Sequence, residues 1–145
     1  MTNLYTIGFS EKDAKTFFEL LKLSKIQTLF DVRLNNVSQL TGYTKKSDIA
    51  YFLDKICNIK YMHLPILAPT KEILDGYKNK RISWKDYESK YVTLINERQI
   101  YNSLRDIYFN NSCLLCSEKN AEQCHRRLAA NIIKENFLID NIIHL

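Results

Sequence analysis

The stretch Ser112-Cys113-Leu114-Leu115-Cys116-Ser117-Glu118-Lys119-Asn120-Ala121-Glu122-Gln123-Cys124-His125-Arg126-Arg127 decides the fold. Residues 112–116 are apolar or small, the length of a buried strand. A helical pattern, predicted over 121–136, follows and turns Leu128, Ala129, Ile132 and Ile133 to one face. A strand that runs through a polar loop into a helix is the unit of an open α/β sheet. Such sheets carry their reactive groups at the carboxyl ends of the strands and the starts of the helices.

The alternation continues on both sides of that stretch. Residues 4–7 are β-rich and run into Gly8. Ser10-Glu11-Lys12-Asp13 has the form of a capping box, with Ala14, Phe17, Phe18 and Leu21 at helical spacing behind it. Residues 26–32 form a second predicted strand ending in Asp31-Val32-Arg33. Residues 34–46 are loop-like, and Ser47 is the predicted cap of a helix bearing Ile49, Phe52, Leu53 and Ile56. Residues 59–64 form a third strand, stopped by Pro65, and an irregular stretch with a short helix is expected up to Arg81. Ser83-Trp84-Lys85-Asp86 is another capping box. Tyr87, Tyr91, Leu94 and Ile95 follow it, with Ile100, Leu104 and Tyr108 extending the pattern to the break at Asn110-Asn111. Residues 138–145 close the chain as a fifth strand.

Strands alternating with helices imply parallel pairing and right-handed crossovers. The expected architecture is a single domain over residues 1–145: a three-layer α/β/α sandwich, Rossmann-like, with a mostly parallel sheet of about five strands. Composition agrees. Of 145 residues, 46% are hydrophobic and 26% charged, with only three Gly and two Pro, so the chain can bury a core. No secretory pattern opens the chain, and no apolar run reaches the roughly 18 residues of a spanning helix. A cytoplasmic protein is expected, and in that setting its four cysteines are reduced, catalytic or metal-binding rather than disulfide-bonded. The net charge of +5 permits an anionic small molecule or nucleic acid as partner, or serves solubility alone.

The carboxyl ends of the predicted strands bring Gly8-Phe9-Ser10, Asp31-Val32-Arg33, His63-Leu64-Pro65 and Cys116-Ser117-Glu118 to one edge. A cysteine at the start of the last helix would be acidified by the helix N–H groups and dipole. His125 is suited to acid, base or ligand duty, and one of Arg126 and Arg127 is expected to face the site and grip a phosphate or carboxylate. The catalytic candidates are therefore Cys116, Glu118, Cys124 and His125. Ser10, Arg33 and Arg126 are candidates for anion binding, and Asp31 for orienting a neighbour. Zinc is a competing reading with Cys116, Cys124 and His125 as ligands. Three features count against it. Cys113 and Cys116 face opposite sides of a strand, adjacent Cys124 and His125 need a bent backbone to share an ion, and the spacing lacks the usual second pair. A cysteine phosphatase or sulfurtransferase loop fits poorly, because the segment after Cys116 holds Glu118 and Glu122 and no glycine.

Lys45 and Lys46 with Tyr43 suit a phosphate or base, and equally a solvated loop. His63 is expected to be a satisfied core or edge histidine. Trp84, Tyr87 and Tyr91 read as helix packing rather than a stacking platform. Walker and Gly-x-Gly-x-x-Gly loops are missing, so nothing calls for ATP or a dinucleotide.

In order along the chain, Tyr5-Thr6-Ile7-Gly8-Phe9-Ser10, Asp31-Val32-Arg33, Tyr61-x-His63-Leu64-Pro65 and Cys116-x-Glu118 followed by Cys124-His125-Arg126 resemble the family catalogued as domain of unknown function 488. The resemblance implies a small single-domain prokaryotic α/β protein, and a site drawn from Gly8, Ser10, Asp31, Arg33, Cys116, Glu118, Cys124, His125 and Arg126. Ser117 stands where the family more often has Ala, and residues 65–69 lack expected glycines. The resemblance implies a fold and a site rather than a reaction. The leading expectation is an enzyme acting on a phosphate-bearing substrate, a nucleotide or nucleic acid. A non-catalytic nucleic-acid or protein binding module and a structural Cys/His site stand beside it.

Overall fold

The computed structural model describes residues 1–37 and 42–145. Strands Asn3–Gly8 (β1), Thr28–Asp31 (β2), Lys60–His63 (β3), Ser112–Cys116 (β4) and Asn141–His144 (β5) form one parallel sheet in the order β3-β2-β4-β1-β5. β4 is central. Its Ser112 sits beside Leu4 on one side and Thr28 on the other. All five of its residues are buried, as a strand covered on both faces requires.

The helices are Ala14–Leu23 (α1), Lys46–Phe52 (α2, continued by a π turn over Leu53–Cys57), Lys71–Lys78 (α3), Trp84–Glu97 (α4), Ile100–Leu104 (α5) and His125–Asn136 (α6). On one face Phe17, Phe18 and Leu21 of α1 and Ile49 of α2 pack on Ile7, Leu29, Cys113 and Leu115. On the other, Tyr87, Tyr91 and Ile95 of α4 and Leu128, Ala129, Ile132 and Ile133 of α6 pack on Leu4, Phe30, Leu114 and Cys116. The three-layer α/β/α expectation is met. Among the described residues no helix is long and apolar enough to cross a membrane.

The connections create the site. After β1 and β2 the chain enters the α1–α2 layer, whereas after β4 it enters α6 on the opposite face. Because β4 lies between β1 and β2, neighbouring strands part company at their carboxyl ends and leave a crevice there.

Several local expectations are corrected. Ser10 does not cap α1. The left-handed backbone of Glu11 (φ 60°) interrupts any helix there, and Asp13 caps instead, its carboxylate accepting from Thr16 N. Ser47 lies inside α2, whose N-cap position is held by Lys45 without a side-chain bond. The pattern through Tyr108 breaks at Gln99 (φ 49°), which separates α4 from α5, and Tyr108 is exposed beyond both. α6 starts at His125 rather than at residue 121. Leu138 is exposed ahead of β5. Of the predicted loop 34–46, residues 38–41 lie outside the described residues.

Ser83 does cap α4, accepting from Asp86 N at 3.1 Å. Ser83→Ala is expected to cost about 1 kcal/mol in urea unfolding.

Candidate functional site

The crevice encloses about 470 Å³. β1 contributes Phe9 and Ser10, β2 contributes Arg33, and β4 contributes Cys116, Ser117 and Glu118. Cys124 and His125 come from the start of α6, and Tyr77, Lys78, Trp84 and Tyr87 from α3 and α4. Trp84 stacks on Tyr87 with centroids 4.9 Å apart, and Tyr77 meets Trp84 edge-on at 5.5 Å. Tyr87 and Tyr91 are buried in the core, the packing role their spacing predicts, while Trp84 is only half-buried.

Cys116, Cys124 and His125 are all buried, and their sulfur and ring nitrogen atoms lie within 4.8 Å of one another. β4 delivers Cys116 to the α6 side of the sheet, whereas Cys113 points into the opposite layer. Cys124 and His125 converge although adjacent. Cys124 is the extended N-cap of α6 (φ −141°, ψ 137°) and His125 is its first helical residue, so the chain turns between them. The bent backbone that adjacent residues need in order to converge is therefore present. His125 Nε2 donates to the Val32 carbonyl at 2.8 Å, and burial holds the ring below its usual pKa, in the neutral form. Nδ1 is then the unprotonated nitrogen, and it lies 3.6 Å from Cys116 Sγ.

The two thiols are not equivalent. Cys116 is the more acidic. Its pKa is lowered chiefly by a hydrogen bond from Cys124, against the cost of burial, with the Ser117 N–H and the charge of Arg126 assisting. Cys124 is pushed up by donating that bond and by burial. Burial also raises Cys113, which takes no part.

Asp31 is fully buried and organises the β2 end. Its carboxylate accepts from Arg33 Nε at 2.9 Å, Arg33 Nη2 at 2.8 Å and the Tyr61 hydroxyl at 2.6 Å. Arg33 Nη2 also donates to the Thr44 carbonyl at 2.6 Å, and its Cζ lies 5.4 Å from the Phe9 ring centroid. These bonds use the protons of Nε and Nη2. Among the described residues the two Nη1 protons make no hydrogen bond, and the residue lines the crevice. Tyr61, part of the Tyr61-x-His63-Leu64-Pro65 motif but given no role from sequence, is the other partner of Asp31. Its phenol is pushed well above the ordinary range by burial and by Asp31, and the β2–β3 pairing that places Tyr61 beside Leu29 brings the two together. Tyr61→Phe is expected to destabilise the fold by about 1.5 kcal/mol or more, read in urea unfolding, because the lost bond is to an ionised group. His63 Nε2 donates to the Arg33 carbonyl at 3.0 Å, the satisfied edge role expected of it.

Arg126 stands elsewhere than expected. It is fully buried beneath the loop between β4 and α6 and is not on the crevice wall. Nη1 donates to the Glu118 carbonyl, Nη2 to the Lys119 carbonyl at 3.1 Å and Nε to Thr6 Oγ1 at 3.4 Å. It braces the loop from beneath and does not line the crevice, where an anion-binding residue was expected. None of its bonds goes to a carboxylate among the described residues. Arg127 faces outward and pairs with Glu88 at 3.4 Å, so neither arginine meets the crevice. Gly8 lets this loop close, because a Cβ there would stand 1.6 Å from the Glu118 carbonyl oxygen. Ser10 N donates to the Ser117 carbonyl at 2.9 Å and locks the two strand ends together. Glu118 is the exposed carboxylate of the wall. Lys45 and Lys46 begin α2 and do not line the crevice.

A parallel α/β domain with a crevice at its topological switch point, floored by a buried Cys–Cys–His cluster, is the class these features define. Within it, a family model described as a domain of unknown function, DUF488, matches residues 13–133, and the chain belongs to that family. No curated protein and no solved structure matches the chain.

Proposed function

We propose that the protein is an enzyme acting on a phosphate-bearing substrate, a nucleotide or a nucleic acid, in this crevice. The observation that carries the reading is the convergence on one crevice of a buried Cys116–Cys124–His125 floor, a pinned guanidinium and an exposed carboxylate. Arg33 holds the anion. Its plane is set by Asp31, and its Nη1 protons are the ones left for phosphate oxygens. Glu118 moves protons. His125 does not, because its Nε2–H is committed to the Val32 carbonyl and the ring is buried. The Tyr77–Trp84 wall supports a substrate with a flat base over a bare phosphate ester.

Turnover of a panel of phosphate mono- and diesters, nucleotides and oligonucleotides tests the reading. Glu118→Gln is expected to lower turnover about 100-fold or more while leaving the melting temperature unchanged, since the side chain is exposed. Full activity in that variant would remove Glu118 from the role. Salt-sensitive binding of nucleic acid without any turnover would replace the enzyme with a binding module.

A further inference from the structure

We infer that Cys116 Sγ, Cys124 Sγ and His125 Nδ1 bind one zinc ion at the floor of the crevice, leaving its fourth coordination position open to the substrate. The inference rests on the proposal that this crevice is an active site, and adds the group that activates water there.

Geometry carries it. A tetrahedral zinc with bonds of about 2.3 Å to sulfur and about 2.0 Å to nitrogen sets a sulfur–nitrogen separation of about 3.5 Å and a sulfur–sulfur separation of about 3.8 Å. Cys116 Sγ lies 3.6 Å from His125 Nδ1, and all three donor atoms fall within 4.8 Å of one another. Nε2 of the histidine donates to a backbone carbonyl at 2.8 Å, which leaves Nδ1 unprotonated. Cys116 Sγ lies 3.6 Å from Nδ1 and 3.8 Å from Nε2, over the ring, so a turn of the imidazole brings the Nδ1 lone pair onto the ion. Two thiolates and one imidazole are a donor set that zinc accepts readily, and the two thiolates cancel the charge of the ion.

The surroundings fit a reactive centre better than a closed structural one. All three ligands lie on the crevice wall with a few per cent of their surface accessible. Arg126 ties down the Glu118 and Lys119 carbonyls and so holds the loop that joins one ligand to the other two. Water bound at the open position would lose a proton to Glu118. Its oxygen would then bond to phosphorus as the ester P–O bond breaks, and the proton would pass to the departing oxygen.

The experiment is a titration of chelator-stripped, reduced full-length protein with cobalt(II) and then with zinc. Wild type is expected to bind one equivalent of cobalt with a thiolate-to-cobalt charge-transfer band that zinc displaces. Cys124→Ser and His125→Gln should weaken binding by more than the roughly 10–100-fold that loss of an outer partner costs. Cys113→Ser, on the other face of the sheet, should leave it unchanged. In wild type, zinc should also protect Cys116 and Cys124, but not half-buried Cys57, from alkylation, a readout that needs no variant to fold. Absence of the charge-transfer band in wild type, or its equal loss in Cys113→Ser, would overturn the zinc site. Binding of the metal without turnover of any phosphate compound would leave the site standing and sink the proposed reaction. Full turnover by stripped protein would overturn the part given to zinc in the reaction and leave the proposed reaction standing.

Discussion

Gly8→Ala is expected to destabilise the protein by at least about 3 kcal/mol and to open the crevice. The reason is space and not backbone freedom, since none of the glycines has positive φ. The added Cβ would stand 1.6 Å from the Glu118 carbonyl oxygen, 2.6 Å from its carbon and 2.9 Å from Arg126 Nη1. Two of those atoms are backbone, so the loop that separates Cys116 from Cys124 has to move as a unit. Urea unfolding would show the loss, and the alkylation rates of the two cysteines would show the opened floor. Gly42→Ala is the control. Among the described residues nothing lies within 4 Å of a Cβ there, so its effect should stay within about 0.5 kcal/mol. A Gly8→Ala protein as stable as wild type would mean that the loop does not close on β1 as described.

Arg126→Met should cost about 3 kcal/mol, again in urea unfolding. Methionine keeps much of the buried volume and removes the donors, leaving the Glu118 and Lys119 carbonyls without their partner. Arg126→Lys should rescue little, because a single ammonium does not reproduce the planar fork that spans Thr6 and both carbonyls. Arg127→Met, one residue on and outward-facing, should change stability by no more than about 0.5 kcal/mol. Equal effects at the two positions would contradict the bracing role. The contrast is sharp because the two residues are identical in type and adjacent in sequence, and only helix phase separates them.

These two residues also mark where sequence reading stops. β4 was legible to the residue, because a run buried on both faces has its own composition. The cap at Ser83 was legible because it depends on four consecutive residues. Ser10 offered the same local signal and failed, because the Ser10 N–H is drawn to the Ser117 carbonyl and Glu11 is bent into the left-handed region. That is a tertiary contact overriding a local preference. The shared edge of Asp31, Arg33 and Cys116 followed from the alternation of strands and helices, because parallel strands have their carboxyl ends on one side. What each does with its hydrogen bonds did not. Arg126 has the chemistry of an anion ligand and the position of a loop brace. Cys124 and His125 meet because a helix begins between them, four residues later than the periodicity suggested.

Phosphate-bearing molecules are expected to occupy this crevice. The most direct test is the amide correlation spectrum of the isotope-labelled protein during titration with a nucleoside monophosphate. Saturable shifts centred on Ser10, Ser117, Glu118 and Gln123 are expected, lost in Arg33→Gln while the rest of that variant's spectrum keeps its folded dispersion. Shifts confined to the groove between α3 and α4 around Thr70, Arg81 and Lys90, or none at all, would contradict it.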